Sequence, residues 1–285
     1  MTKSRDARGV RGCFRSGARW ATGRGRALFD GTSFGPRVLG VFLLLGLLGA
    51  CSTEPIFLGP HPDFVWWTDH ETGDLADWLQ GGAARASRYT AGAGSAEVAP
   101  IVARSGRHGL VSRIDGSGAG QLTRRGDVTD GAYYGAWFYV PAFARPASYW
   151  VFFALRAQPE SPLWDLKLSP VGDEMRLQLL HHDTGDVAPV AVMPVPIGRW
   201  FQVQAFFAAS ASANDRLLVW LDGRLVYEVA GAAVEGVANP TPTPTWTLGT
   251  ITDGLSPAPA ALYIDDAFIA RRAISADTPA FWRAP

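Results

Sequence analysis

The run from 199 to 229, RWFQVQAFFAASASANDRLLVWLDGRLVYEV, constrains this chain more than any other. From Trp200 to Phe207 the side chains alternate. Trp200, Gln202, Gln204 and Phe206 share one side; Phe201, Val203, Ala205 and Phe207 share the other. Period two is the pattern of a strand with two different faces. A small, polar loop follows, and then two alternating runs flank Asp222-Gly223. Asp-Gly between such runs predicts a type I′ hairpin, because both central residues must take positive φ. The centre of the fold is therefore antiparallel β.

The rest of the body reads the same way. Tyr133 to Val140 is a strand that stops at Pro141, with Tyr133, Gly135, Trp137 and Tyr139 on one face. Ser148 to Arg156, Leu163 to Ser169 and Met175 to His182 are further strands. The last two set Asp165 and Lys167, and Arg176, Gln178 and His182, opposite apolar partners. Trp246 to Ile251 and Ala261 to Ala270 close the domain. Residues 81–100 are rich in Gly, Ala and Ser and predict a loop or ragged edge strand. Gly109 to Ile114 and Gly120 to Arg124 predict two short strands around a glycine turn. No fixed-period repeat emerges, which argues against a propeller or solenoid. Eleven Trp, 32 Gly and 20 Pro, with only 18% charged residues, suit an all-β chain. The predicted fold is a single two-sheet antiparallel β-sandwich.

The N-terminus reads as an address. Val38 to Leu48, VLGVFLLLGLL, is too short to span a bilayer and has the length of a signal-peptide core. A basic head precedes it, and Leu48-Gly49-Ala50-Cys51 follows. This resembles a bacterial lipobox, which implies lipid on Cys51 and cleavage before it. By the same resemblance, Ser52 favours the outer membrane within the cell envelope. Lipid there would hold the protein at a membrane without a spanning helix. The expected divisions are 1–50 for head and signal, 51–63 for a Pro-rich tether, 64–272 for the sandwich and 273–285 for a tail. Nine of the 26 basic residues but only two of the 26 acidic ones lie in the first 50, which leaves 17 and 24 beyond. An acidic body argues against nucleic acid as a partner. With two cysteines only, no disulfide framework is predicted. A monomer is expected.

ETGDLADW, YYGAWFYVP, IGRWFQVQAFF, VWLDGRLVYE and LYIDDAFIA together resemble the concanavalin A-like lectin/glucanase superfamily. Within it they are most similar to polysaccharide-lyase-like and laminin-G-like jelly rolls. The resemblance implies two curved sheets, adjacent first and last strands, and a glycan groove in the concave sheet. Aromatic rings stack on sugars, and amide or charged side chains bond their hydroxyls and carboxylates. Tyr133, Trp137, Tyr139, Trp150, Lys167, Arg176, Gln178, Gln202 and Gln204 are the candidate glycan contacts, with Asp165 and His182 beside them. A lyase needs a neutraliser for the uronate carboxylate, a base and an acid. Arg176 or Gln202, His182 or Lys167, and Tyr133 or Tyr139 are of the right types, and His182, Tyr139 and Arg176 are the leading catalytic candidates. No E-x-D-x-x-E of the retaining glucanases is present, so paired carboxylates about 5 Å apart are not predicted. Asp69 and Glu71 near the first strand and Asp265 on the last are candidate ligands for a structural calcium. The leading expectation is a lipid-anchored sandwich that binds polysaccharide. The alternatives are a lyase acting on a uronate-containing glycan and a structural or adhesive surface lipoprotein.

Overall fold

The turn at Asp222-Gly223 closes with φ of 48° and 74°, the positive pair that a type I′ hairpin requires. Asp222 also accepts a hydrogen bond from the Gln202 amide at 2.8 Å, which fixes the turn to the neighbouring strand.

The computed structural model describes residues 63–100, 102–126, 128, 130–158, 161–208, 216–230 and 244–277. In chain order its strands begin with β1 (Phe64–Thr68), β2 (Ala86–Ala99), β3 (Gly109–Arg125), β4 (Ala132–Tyr139) and β5 (Arg145–Pro146). They continue with β6 (Trp150–Gln158), β7 (Ser161–Val171), β8 (Glu174–His181), β9 (Gly185–Val187) and β10 (Trp200–Ala208). The last are β11 (Arg216–Leu221), β12 (Arg224–Ala230), β13 (Thr245–Thr252), β14 (Leu255–Ser256) and β15 (Ala260–Ala270). A single turn of helix, α1 (Ala76–Leu79), follows β1. The chain divides into two units, Met1–Ser52 and Thr53–Pro285. The first unit, with the signal core and Cys51, lies outside the described residues. No helix among the described residues is long and apolar enough to cross a membrane.

One layer runs β12-β11-β10-β4-β15, and the other runs β3-β13-β6-β7-β8-β9. The two pack face to face: Phe153, Leu155, Trp164 and Leu166 of the second layer meet Ala205, Leu217 and Val219 of the first. This is the two-sheet sandwich that the alternating strands predict, in the jelly-roll form that the resemblance implies. First and last strands pair, Thr68 opposite Ala267 and Trp67 opposite Phe268. The core is aromatic. Trp78 lies 4.9 Å from Trp66 and 5.7 Å from Trp246, and Phe138 meets Phe152 edge-on at 5.0 Å. Each fully buried ring of this size stabilises by about 1.5–3 kcal/mol.

One predicted detail differs. The two short strands around a glycine turn are one strand, β3, which pairs with β15 through Leu110–Ile114 and with β13 through Gly118–Arg125. It therefore serves both layers. The glycines bend it rather than end it: Gly116 and Gly118 take φ of 92° and 148°. Of the two readings of the Gly/Ala/Ser segment at 81–100, the edge strand is the one found: most of it is the 14-residue strand β2, which among the described residues pairs only with β3 and runs along the whole of it. Small residues are needed there because a Cβ on Gly94 would run into the Ala119 carbonyl. Beyond β15, Ile274 is buried against the outward side of the first layer.

Candidate functional site

The candidate glycan residues fall on two opposite sides of the sandwich and inside it. On the outward side of the second layer, one cross-strand row reads Thr123, Thr247, Ala154, Asp165, Leu180, Asp186. The adjacent row, Arg124, Trp246, Leu155, Trp164, His181, turns into the core. Period two on β7 and β8 then places Lys167, Arg176, Gln178 and His182 with Asp165 on the outward side.

These side chains are organised in three groups. His182 Nε2 lies 2.8 Å from Asp165 Oδ2. A carboxylate only accepts, so Nε2 carries the proton and a neutral ring has its lone pair at Nδ1. Asp165 itself is buried, and its Oδ1 has no hydrogen-bond partner among the described residues. Asp186 joins the second group. It accepts from Lys167 Nζ at 3.3 Å and from Gln178 Nε2 at 2.6 Å, while Ser169 Oγ donates to Gln178 Oε1 at 2.7 Å. In the third, Arg176 donates twice to Glu174, at 3.2 and 2.9 Å. Lys167 and Arg176 are thus each already met by a carboxylate. Between the strands Ala154 gives a floor without side-chain bulk, and the buried Thr247 Oγ1 beside it also lacks a partner among the described residues. The face can offer directed donors and acceptors to sugar hydroxyls, and one imidazole nitrogen able to take a proton.

The other candidates lie elsewhere. Tyr133, Trp137, Tyr139, Gln202 and Gln204 belong to the outward side of the first layer, so Tyr139 does not join His182 and Arg176. The predicted catalytic trio is not assembled. Trp137 is 3% exposed, with the Arg104 guanidinium 4.0 Å above its ring. Gln202 Nε2 donates to the Ile274 carbonyl at 3.3 Å, and the Ile274 amide donates to Gln204 Oε1 at 2.8 Å. Both amides are buried beneath the segment after β15 and do not face an open groove. Tyr133 stacks near Phe206 and Trp220 at 4.9 and 5.9 Å, and Tyr139 near Trp200 and Tyr263 at 5.6 and 5.9 Å. Trp150 is a core residue with no exposure, its Nε1 donating to Thr250 Oγ1 at 3.4 Å. Register shifts in β6 on both sides break the alternation that had turned Trp150 outward.

The carboxylates proposed for calcium are used otherwise. Glu71 Oε1 accepts from the amides of Arg107 and His108, both at 2.7 Å. Asp265 Oδ2 accepts from those of Arg104 and Ser105 at 2.8 and 3.1 Å. Asp69 Oδ1 accepts from the Glu71 amide at 3.1 Å. Together they hold the segment that enters β3. Among the described residues no three His, Cys, Asp or Glu side chains converge as a metal site. Asp266 follows Asp265 in a bulge of β15, paired with Arg104 at 2.6 Å and accepting from Ser105 Oγ at 3.0 Å. Burial, reinforced by the charge of Asp265, pushes its carboxyl up to about 7 against the pull of Arg104 and Ser105.

Asp186, Ser169 and Thr247 were not legible as site residues. β9 has three residues, too few for a period to show. Ser169 and Thr247 carry no charge or ring, and become noticeable only through their partners.

No protein-family model and no curated protein matches the chain. Solved structures do. An endo-beta-1,4-glucuronan lyase from the fungus Trichoderma reesei is similar with a TM-score of 0.50 and 14% identity, over 73% of this chain and 96% of that one. Alginate lyase Aly36B, solved with an alginate trisaccharide, is similar with a TM-score of 0.51 and 11% identity, over 73% and 98%. The class so defined is the all-β jelly roll with the polysaccharide-lyase-like fold. At these identities the likeness is one of fold, and function has to be argued from the site.

Proposed function

We propose that this chain binds a polysaccharide along the outward side of β13, β6, β7 and β8. The observation that carries this is the gathering of His182, Asp165, Lys167, Gln178 and Arg176 on one face of one layer, around the small floor at Ala154. The neighbours in fold whose names state a glycan substrate support the reading, since a sandwich of this shape accommodates saccharide chains in other proteins. At Lys167 and Arg176 neutral hydroxyls suit the face better than uronates, because these two cations are already engaged by Asp186 and Glu174. A uronate would have to displace one of those partners.

A second reading, β-elimination on a uronate glycan, is favoured by one feature. His182 is oriented by Asp165 through Nε2, which leaves Nδ1 as a base. We also read the protein as delivered to the cell envelope by lipid on Cys51, from the lipobox resemblance.

The test uses the protein on a panel of immobilised neutral and uronate polysaccharides, with ultraviolet absorbance followed for unsaturated ends. Retention is expected. Gln178→Ala should weaken it about tenfold, the worth of one good hydrogen bond to a charged network, while Tyr139→Ala leaves it unchanged. Rising absorbance that disappears in His182→Ala would establish elimination. Neither retention nor absorbance on any glycan would sink both readings and leave a structural or adhesive role.

A further inference from the structure

At one edge of the sandwich the segment between β9 and β10 crosses from the second layer to the first. The Val190 amide donates to the Val226 carbonyl at 2.9 Å, and the Val195 amide to the Met175 carbonyl at 2.6 Å. Beneath this crossing is a cavity of about 440 Å³, within the size range of small-molecule sites. Its wall is hydrocarbon, from Leu177, Val187, Met193, Leu221 and Val226, with the ring of Tyr227. The Tyr227 hydroxyl is occupied, donating to the Leu177 carbonyl at 2.7 Å. Val171 and Val192 at the mouth are 49% and 58% exposed, and exposed apolar surface around a concavity marks an interaction site.

The polar part of the lining is Ser169, Arg176, Gln178 and Asp186, side chains of the polysaccharide face just described. Their heads bond one another, Lys167 or Glu174. What the cavity itself presents to a ligand is therefore apolar wall, and what lies at its rim is a hydroxyl-binding face. A free fatty acid fits this poorly, because the nearby cations, Arg176 and Lys167, are both neutralised. A chain carried on an uncharged, hydroxyl-rich head fits it well.

We propose that the cavity binds the alkyl or acyl chain of an amphiphilic saccharide whose sugar lies on the adjoining face. This rests on the polysaccharide reading of that face for its sugar half. Burial of each methylene contributes about 0.8 kcal/mol, which is roughly a three- to fourfold gain in affinity.

The experiment is a titration of the protein with alkyl glycosides of one sugar and increasing chain length, below the concentration at which they form micelles. Affinity should climb about three- to fourfold per methylene until the cavity is full. Ala191→Trp, which places an indole in the wall, and Val192→Asp, which puts a charge at an exposed position of the mouth, should each abolish the climb while the melting temperature holds. Affinity independent of chain length overturns the proposal, and so does a climb that survives both variants. Retention of unsubstituted polysaccharide reads the face alone. Its loss with the chain-length climb intact overturns the saccharide half and identifies a purely apolar site.

Discussion

Asp266 sits in the left-handed region, φ 46°, with its carboxyl fully buried between Arg104 and Ser105. The contest there is between a salt bridge at 2.6 Å and removal of the charge from water beside a second carboxylate, Asp265. Burial wins, and the group titrates near 7 rather than near 3.8. The sign of the pH dependence follows. Below the unfolded value both states hold the proton, and this residue adds no cost. As pH rises towards 7 the unfolded chain has released its proton while the folded one retains it, so stability falls, by at most ~1.4 kcal/mol per pH unit for one proton. Above the folded value the cost is complete. Asp266→Asn should therefore gain on the parent as pH is raised from acid to neutral, with the difference in denaturant midpoint levelling off at alkaline pH. Parallel midpoint curves for the two proteins would show that Arg104 offsets burial in full, and a parent that gains on Asp266→Asn as pH rises would show that Arg104 outweighs it. At this scale the sequence was partly readable. Period two placed Lys167, Arg176 and Gln178 on one side because they lie in unbroken strands, and His182 because it directly follows one. It misplaced Trp150 because a bulge is a one-residue slip, and one residue exchanges inside for outside.

Among the elements, the segment after β15 shows how a strand's polar face can be mistaken for an open one. Gln202 and Gln204 interrupt β10 as groove residues would, yet both serve as backbone partners for Ile274, one accepting its amide proton and one donating to its carbonyl. Nothing in the local pattern of 271–277 announces that it docks seventy residues back along the chain; the contact exists only once β10, β4 and β15 are side by side. The hairpin at Asp222-Gly223 is the opposite case, since its backbone requirement is met by the two residues themselves. The buried clip has a measurable weight. Ile274→Ala should cost about 2 kcal/mol or more as a buried side chain is truncated, and Gln204→Leu should cost about 1–3 kcal/mol by leaving the Ile274 amide unsatisfied. Urea midpoints with unchanged slope would record both losses. Retention on polysaccharide should be unaffected in either variant. A Gln204→Leu protein of normal stability that no longer binds glycan would return Gln204 to the binding surface.

For the whole molecule, the fold follows from strands whose signals are mutually consistent: alternation, an Asp-Gly turn, glycines where β2 and β3 approach closely, and an aromatic core shared by both layers. That consistency made the sandwich legible, whereas the use of each face depends on side chains that meet across layers and edges. No helix among the described residues is long and apolar enough to cross a membrane, and we propose that membrane association comes from the head that precedes the sandwich. Lipid on Cys51 would supply it. A diacylglycerol carries two acyl chains, and stable anchoring takes about two such signals where a single chain gives only reversible binding. The full chain expressed in a bacterial host should then partition into the detergent phase and gain the mass of the lipid at a new N-terminus. Cys51→Ser should move it to the aqueous phase, because the eleven apolar residues from Val38 to Leu48 are too few to span a bilayer on their own. A Cys51→Ser protein still held in the detergent phase would assign the anchoring to that apolar segment and remove the lipid from the account.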